Sequence, residues 1–528
     1  MTIAEFAERR IRSSVGYVGE APDVSFTRIV ELLGYRVVAL TSEALAKPAL
    51  LADIDSVIFS QRADKPVRVH HELEEFGATL LNHDCRIYVR VTADPGIAAR
   101  AQPIVLNALN TLQLPAGPLN LDDEAQAGQD RGRSPLPFAP FVFVCYSGLS
   151  WEALAKLVAD NPSGDPPNTD VSIDAVTADH QVLALDDDEA LLIRRAFRDC
   201  SEVHLRQMPD GLSGVRAFRA YAVPAEGLLG PWPMIRFVKI GVRGKIVREY
   251  KNYQGNALVY VPAHLAPRLD RVRCCLGASK GILVGDFVDE AEPLRDCARG
   301  GRASAAIANL FNKTLRSWQR RGTLDETHPL GELLSERLDK PIPEHRLKRI
   351  KELGASGNLE EIRRRVKAVT SQPVKVGVTH GDLHATNVLV RGTDAILIDF
   401  ERLCANAPLL CDLASLEGGL LVEAFAGDRR SAHEWLESVI DLYRSPILRE
   451  PSKDNPRDPS AWFYGCVRQI RLHARELECE GGQYEVALAV ALIAKGCNPN
   501  RFNDECEAYR AAAYLLGERI LTSAEVAL

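Results

Sequence analysis

Nowhere in this chain is there an uninterrupted apolar run of about 18 residues, the length that a membrane-crossing helix requires. The stretch from Met1 to Arg10 carries early acids and no apolar signal-peptide core, so a cytoplasmic location is expected. The 12 cysteines include no C-x-x-C pair, and Cys274 and Cys275 are adjacent; this speaks against a zinc site or a disulfide scaffold and suits a reduced compartment. Positive charge is not in excess either. With 64 Lys and Arg against 71 Asp and Glu, the net charge of −7 argues against general nucleic-acid binding. The one basic stretch, in which His345, Arg346, Lys348, Arg349 and Lys351 precede Arg363, Arg364, Arg365 and Lys367, is interspersed with acids and reads as solvated helix face, the competing reading being a surface for an anionic partner. Internal repeats, low-complexity tracts and heptad runs are missing as well. What is present is 46% hydrophobic content, ample for packed cores, over 528 residues, a length that suggests several domains.

The most informative segment is Thr379-His380-Gly381-Asp382-Leu383-His384-Ala385-Thr386-Asn387, followed by the apolar run Ala395 to Ile398 and then Asp399-Phe400-Glu401. Asp382 and Asn387 have the spacing of a phosphoryl-transfer catalytic loop, in which the Asp accepts the acceptor-hydroxyl proton and the Asn holds Mg2+. Asp399 supplies a second metal-binding carboxylate. Val388 to Val390 and Ala395 to Ile398 flank Arg391-Gly392-Thr393-Asp394, which predicts a hairpin that brings Asn387 and Asp399 together. His380 is expected to brace the loop through hydrogen bonds and His384 to sit near the phosphates; each is equally readable as a structural histidine.

His-Gly-Asp-Leu-His-x-x-Asn-Val-Leu followed by Ile-Asp-Phe-Glu resembles the aminoglycoside phosphotransferase and choline kinase group of the protein-kinase-like superfamily. Pro408 and Asp412-Leu413-Ala414 resemble that family's Asp-Leu-Ala element, whose Asp braces the catalytic loop. Asp412 follows Asp399 by only thirteen positions, which leaves no room for a long activation segment and favours a small-molecule acceptor over a peptide. The resemblance implies an α+β protein-kinase-like bilobal fold, with a sheet-rich lobe over 171–290 and a helical lobe over 291–528.

An ATP-holding lobe needs a phosphate-covering turn, a strand lysine and a helix glutamate, in that order. Met208 to Val215 contains Gly211, Ser213 and Gly214, which form either that turn or an ordinary hairpin turn. In the strand pattern from Met234 to Gly241, Ile235, Phe237 and Lys239 share one face. On the helix predicted over 245–254, Glu249 falls within the stripe formed by Ile246, Tyr250 and Tyr253. Burying either charge alone costs several kcal/mol, so a Lys239–Glu249 ion pair is the simplest expectation; the competing one is that both side chains snorkel to water. Gly281 to Val288 reads as a buried strand. The resemblance places an adenine-binding hinge near its end, from Val284 to Phe287.

Amphipathic spacing predicts helices over 341–353, 358–369, 413–425, 430–443, 460–480, 484–494 and 503–522. Glu476, Glu478 and Glu480 read either as surface acids or as a patch for a cationic acceptor. Residues 1–160 alternate strand and helix and predict an α/β three-layer domain with receiver- or flavodoxin-like architecture. It has Ser60-Gln61 where a receiver has its phosphoacceptor Asp, and Cys145-Tyr146-Ser147 where a receiver has its Lys, so a degenerate sensor or docking module is expected. A linker spans 161–170. The whole predicts transfer of the ATP γ-phosphoryl group to a hydroxyl, with ATP and Mg2+ as cofactors, a small-molecule acceptor, and a possible protein partner through the N-terminal domain. The alternatives are an ATP-binding pseudokinase scaffold in a bacterial signalling or defence system, or a protein kinase.

Overall fold

Six parallel strands, β1 (Ser14–Gly19), β2 (Arg36–Ala39), β3 (Ile54–Ser60), β4 (Arg86–Arg90), β5 (Leu119–Asn120) and β6 (Val142–Cys145), form a sheet in the order β2-β1-β3-β4-β6-β5. Both faces of this sheet are covered, so its inner strands are apolar at successive positions instead of alternating. Val57 and Phe59 of β3 and Ile87 and Val89 of β4 pack under the helix Pro66–Asn82. The intervening Ile58 and Tyr88 face Phe26 and Val30 of the helix Val24–Leu32 and Trp151, Leu154 and Val158 of the helix Trp151–Asp160. The three layers expected from the alternating pattern are therefore present.

The computed structural model describes residues 14–32, 35–41, 44, 51, 54–60, 66–83, 85–90, 119–120, 142–145, 150–160, 167–208, 215–225, 233–277, 280–423, 431–443, 461–499 and 504–524. The chain forms two compact units, Met1–Arg248 with Leu269–Phe287, and Glu249–Arg268 with Val288–Leu528.

The first unit contains a second sheet, built from β7 (Ser172–Val176), β8 (Cys200–Gln207), β9 (Arg216–Pro224), β10 (Met234–Val242), β11 (Cys275–Leu276) and β12 (Lys280–Asp286), in the order β11-β12-β10-β9-β8-β7. Only the β7–β8 pair is parallel. The helix Asp187–Ala196 starts at a reciprocal capping box between Asp186 and Glu189. On the same helix, Arg195 donates to the Leu276 carbonyl at 2.7 Å and to the Asn82 carbonyl at 3.0 Å, fastening the three-layer domain to the second sheet.

The helix Arg243–Asn252 leaves β10 directly and passes into a π-helical turn, Tyr253–Ala257. Its later part belongs to the second unit. There the Asn256 carbonyl accepts from Trp318 Nε1 at 3.3 Å, and the Leu265 carbonyl accepts from the Leu397 N–H at 2.9 Å. The rest of that unit is mainly helical. The helices Leu410–Glu423 and Gln483–Gly496 are buried along nearly their whole surface, as their apolar sequences require. At the centre of these helices Glu417 accepts from Arg471 (2.7 Å), Tyr443 (3.0 Å) and Tyr484 (2.8 Å), so this buried carboxylate is fully paired.

Candidate active site

After the short strands β13 (Glu292–Pro293) and β14 (Thr323–Asp325), strand β15 (Val374–Thr379) delivers the chain to the loop from His380 to Asn387, and the hairpin of β16 (Val388–Arg391) and β17 (Asp394–Leu397) follows. The predicted turn lies between these strands. Val388 pairs with Leu397, and the Ile398 N–H donates to the Asn387 carbonyl at 3.1 Å. The ladder therefore ends with Asn387 beside Ile398 and Asp399, the juxtaposition that a shared metal requires.

Three groups fix the loop. The buried carboxylate of Asp412 accepts the His380 N–H at 2.7 Å and the Gly381 N–H at 3.1 Å, so Asp412 is the loop brace that the family resemblance implied. Burial pushes this carboxyl upward, opposed in part by His380, the two amides and Arg337. His380, itself fully buried, is hydrogen-bonded through Nε2 to the Ile398 carbonyl at 2.9 Å. That carbonyl accepts, so Nε2 carries the proton. Arg337 donates to the Gly381 carbonyl at 3.1 Å. Gly381 has φ 76°, and a Cβ there would lie 2.0 Å from the Arg402 carbonyl oxygen, so only glycine fits.

Asp382 remains accessible, with its carboxylate 3.6 Å from Arg402 Nε and its side chain 42% exposed. Asn387 donates its amide nitrogen to the Asp382 carbonyl at 3.0 Å, while its Oδ1 makes no hydrogen bond among the described residues. Asp399 has φ 63°, a left-handed conformation that costs a non-glycine residue about 1 kcal/mol or more and clusters at functional sites. Asn387 Oδ1 and the Asp399 carboxylate are hard oxygen donors of the kind Mg2+ takes, together with phosphate oxygens. No group of three or more His, Cys, Asp or Glu side chains among the described residues is arranged to hold a metal.

His384 turns toward structural partners. Its Nδ1 lies 2.8 Å from Thr386 Oγ1 and 3.6 Å from Glu423, and burial lowers its pKa. Glu423 is in turn paired with Lys495 at 2.8 Å and lies 3.8 Å from Arg510. Burial works against its charge, but these cations and His384 outweigh burial and hold its carboxyl at about 2.

On the nucleotide side, Lys239 is 7% exposed and Glu249 6%, which removes the snorkelling alternative for both. Gly211, Ser213 and Gly214 lie outside the described residues. The Val284 N–H donates to Cys274 Sγ at 3.4 Å, and its carbonyl accepts from the Asp270 N–H at 2.8 Å. Those main-chain groups are consumed within the sheet, so Val284 is a core residue. Phe287 leaves the strand, half-buried, with the Arg219 guanidinium 4.5 Å from its ring centre.

The acidic trio does not form a patch. Glu480 accepts from Ser371 at 2.6 Å and Glu478 from the Tyr484 N–H at 2.8 Å, so two of the three carboxylates are tied into a turn beyond the helix end at Leu477. The basic stretch is similarly absorbed. Arg346 is fully buried against Glu507 at 2.8 Å, and Arg363 and Arg364 pair with Glu360 and Glu361 one turn away. Arg337 and Arg402 carried no sequence signal, since each reaches the loop only through the tertiary fold.

A profile for the family described as Ternary complex associated domain 9 matches residues 343–481, a span that contains the whole catalytic loop. A search of curated protein sequences finds no match. Among solved structures, the chain is similar to an aminoglycoside phosphotransferase, APH(4)-Ia, solved with ADP and hygromycin B; the TM-score is 0.36 at 12% identity, covering 62% of this chain and 95% of that one. A choline/ethanolamine kinase family protein from Mesorhizobium loti gives 0.31 at 14% identity, covering 57% and 92%. For APH(3'')-Id from Streptomyces rimosus the values are 0.28 and 19%, covering 55% and 99%.

Proposed function

We propose that this chain transfers the γ-phosphoryl group of ATP to a hydroxyl of a small molecule. The observation that carries this reading is the loop itself, in which Asp382 stays accessible while Asp412, His380 and Arg337 fix its backbone, and in which the hairpin ladder sets Asn387 opposite Ile398, the residue before Asp399. Asp382 takes the hydroxyl proton as the acceptor oxygen bonds to phosphorus, and the bond from phosphorus to the ADP oxygen breaks with its electron pair leaving on ADP. Asn387 and Asp399 hold Mg2+, which when bound neutralises charge developing on the phosphates. Lys239 neutralises the α- and β-phosphates, and the backbone of Gly211, Ser213 and Gly214 supplies N–H groups to them. Adenine is read by main-chain groups near Phe287. His380 orients the loop, and His384 holds it against Glu423 away from the phosphates. Positioning and electrostatics supply the rate enhancement, with no covalent enzyme intermediate.

The decisive test is calorimetric titration with ATP, with and without Mg2+, on the wild type and on Lys239→Ala. Magnesium-enhanced binding that disappears in the variant supports the reading, and wild-type protein that binds no ATP overturns it. A second reading, an ATP-binding regulatory component of a multi-protein assembly, draws on the Ternary complex associated domain 9 match over the same loop. Under it, magnesium-dependent ATP binding persists but no acceptor, protein or metabolite, becomes labelled.

A further inference from the structure

Asp399 stands in a left-handed conformation between two clamps. Upstream, Ile398 is held through its N–H by the Asn387 carbonyl at 3.1 Å and through its carbonyl by His380 at 2.9 Å. Downstream, the side-chain amide of Asn252 donates to the Phe400 carbonyl at 2.9 Å and to the Glu401 carbonyl at 3.0 Å, using both of its N–H groups. The Phe400 ring is packed between Tyr253 at 6.0 Å and His380 at 5.8 Å. Asn252 is the last α-helical residue before the π-turn Tyr253–Ala257. A π-turn inserts an extra residue into the helix and re-aims the side chains at its edge, and such turns recur at functional sites.

Strain at one residue persists only where its neighbours are over-determined. With the residues on both sides of Asp399 held, the direction in which its side chain leaves the backbone is fixed. We infer that Asn252 is a positioning residue for metal binding: it completes the downstream half of the clamp that presents Asp399 to Mg2+. This inference rests on the phosphotransferase reading for its metal and deepens that reading by adding a residue from a helix remote in sequence. Residues that orient a metal ligand typically govern about ten- to a hundredfold in metal affinity, while touching neither metal nor substrate.

Two measurements on the full chain test it, using Asn252→Ala and, as the conservative replacement, Asn252→Gln. In the first, amide hydrogen exchange is followed without nucleotide. Asn252→Ala is expected to speed exchange at 399–402 by about tenfold or more while the β16–β17 hairpin stays as protected as in the wild type. Unchanged exchange at 399–402 overturns the clamp, whatever the protein does with nucleotide. In the second, ATP binding is titrated against Mg2+. Asn252→Ala is expected to lose about tenfold or more of the magnesium-dependent gain in ATP affinity, with magnesium-free binding unaltered and partial rescue in Asn252→Gln. Faster exchange with the magnesium dependence intact overturns the positioning role. Wild-type protein that binds ATP without any magnesium dependence overturns both that role and the metal site it serves, a result distinguishable from failure of the clamp because the exchange difference survives it.

Discussion

The carboxyl edge of the parallel sheet and the catalytic loop both gather charged residues at strand ends, yet they leave different groups open. At the end of β4, Arg90 lies 3.3 Å from Glu20 and 3.4 Å from Ser60 Oγ, and its guanidinium sits 4.4 Å from the centre of the Trp151 ring. The Glu20 N–H donates to the Ser60 carbonyl at 2.9 Å, and a Cβ at Gly19 would lie 2.1 Å from that same oxygen. In doubly wound sheets this edge, at the reversal between β1 and β3, is the usual ligand crevice; here, among the described residues, Arg90 is spent on neighbouring side chains. The catalytic loop does the reverse. Asp412, His380 Nε2 and Arg337 are paired within the protein, whereas the Asp382 carboxylate stays 42% exposed and Asn387 Oδ1 makes no hydrogen bond among the described residues. A site is recognised by what its supporting contacts leave unused more than by the number of charges it collects.

Four substitutions would sharpen or break this contrast. The largest effect is expected for Asp382→Asn, which should lower phosphoryl transfer at least about a hundredfold while ATP affinity in calorimetry stays near wild type, since only the proton acceptor is removed. Transfer at a comparable rate would remove Asp382 from its role. Next is Arg471→Met, which strands the fully buried Glu417 carboxylate. It should cost about 3–5 kcal/mol in denaturant unfolding, much as breaking other buried ion pairs does. Smaller and dependent on pH is Glu423→Gln. Because the folded carboxyl sits near 2, below its ordinary 4.5, its stabilising contribution is complete above about pH 4.5 and is lost as pH falls toward 2. Between those values the wild type should therefore lose stability more steeply than the variant. Parallel pH profiles would remove Glu423 from the network. The smallest effect belongs to Glu20→Gln, on a side chain 42% exposed: under about 1 kcal/mol in stability and no change in transfer. A large loss of transfer there would make the parallel sheet's edge part of the active site and end the comparison.

Legibility in the sequence followed sequence distance. The hairpin after Asn387 and the amphipathic helices rest on periodicity and turn residues a few positions apart, and their boundaries fell within a few residues of expectation, such as 344–352 against 341–353 and 461–477 against 460–480. The sequence left the acidic trio open between surface acids and a patch because its three residues look alike there, although two of them end in hydrogen bonds to Ser371 and to the Tyr484 amide. Val284 was placed in the right strand, but which way its main-chain groups point is set by pairing with β10 and by Cys274 and Asp270. Nothing local marks Asn252 or Arg337 either, because each acts on a backbone carbonyl in another part of the chain.

By itself, the sequence determined the residue types and spacing of the loop and hairpin, because catalytic chemistry and β-turn geometry both act over a handful of bonds. Only the tertiary structure decided which of those groups stay free. The burial of Lys239 and Glu249, the turning of His384 toward Glu423 and the holding of Asp399 between His380 and Asn252 depend on packing between segments far apart in the chain, where solvent exclusion makes every unpaired charge costly and so fixes which partner each one takes.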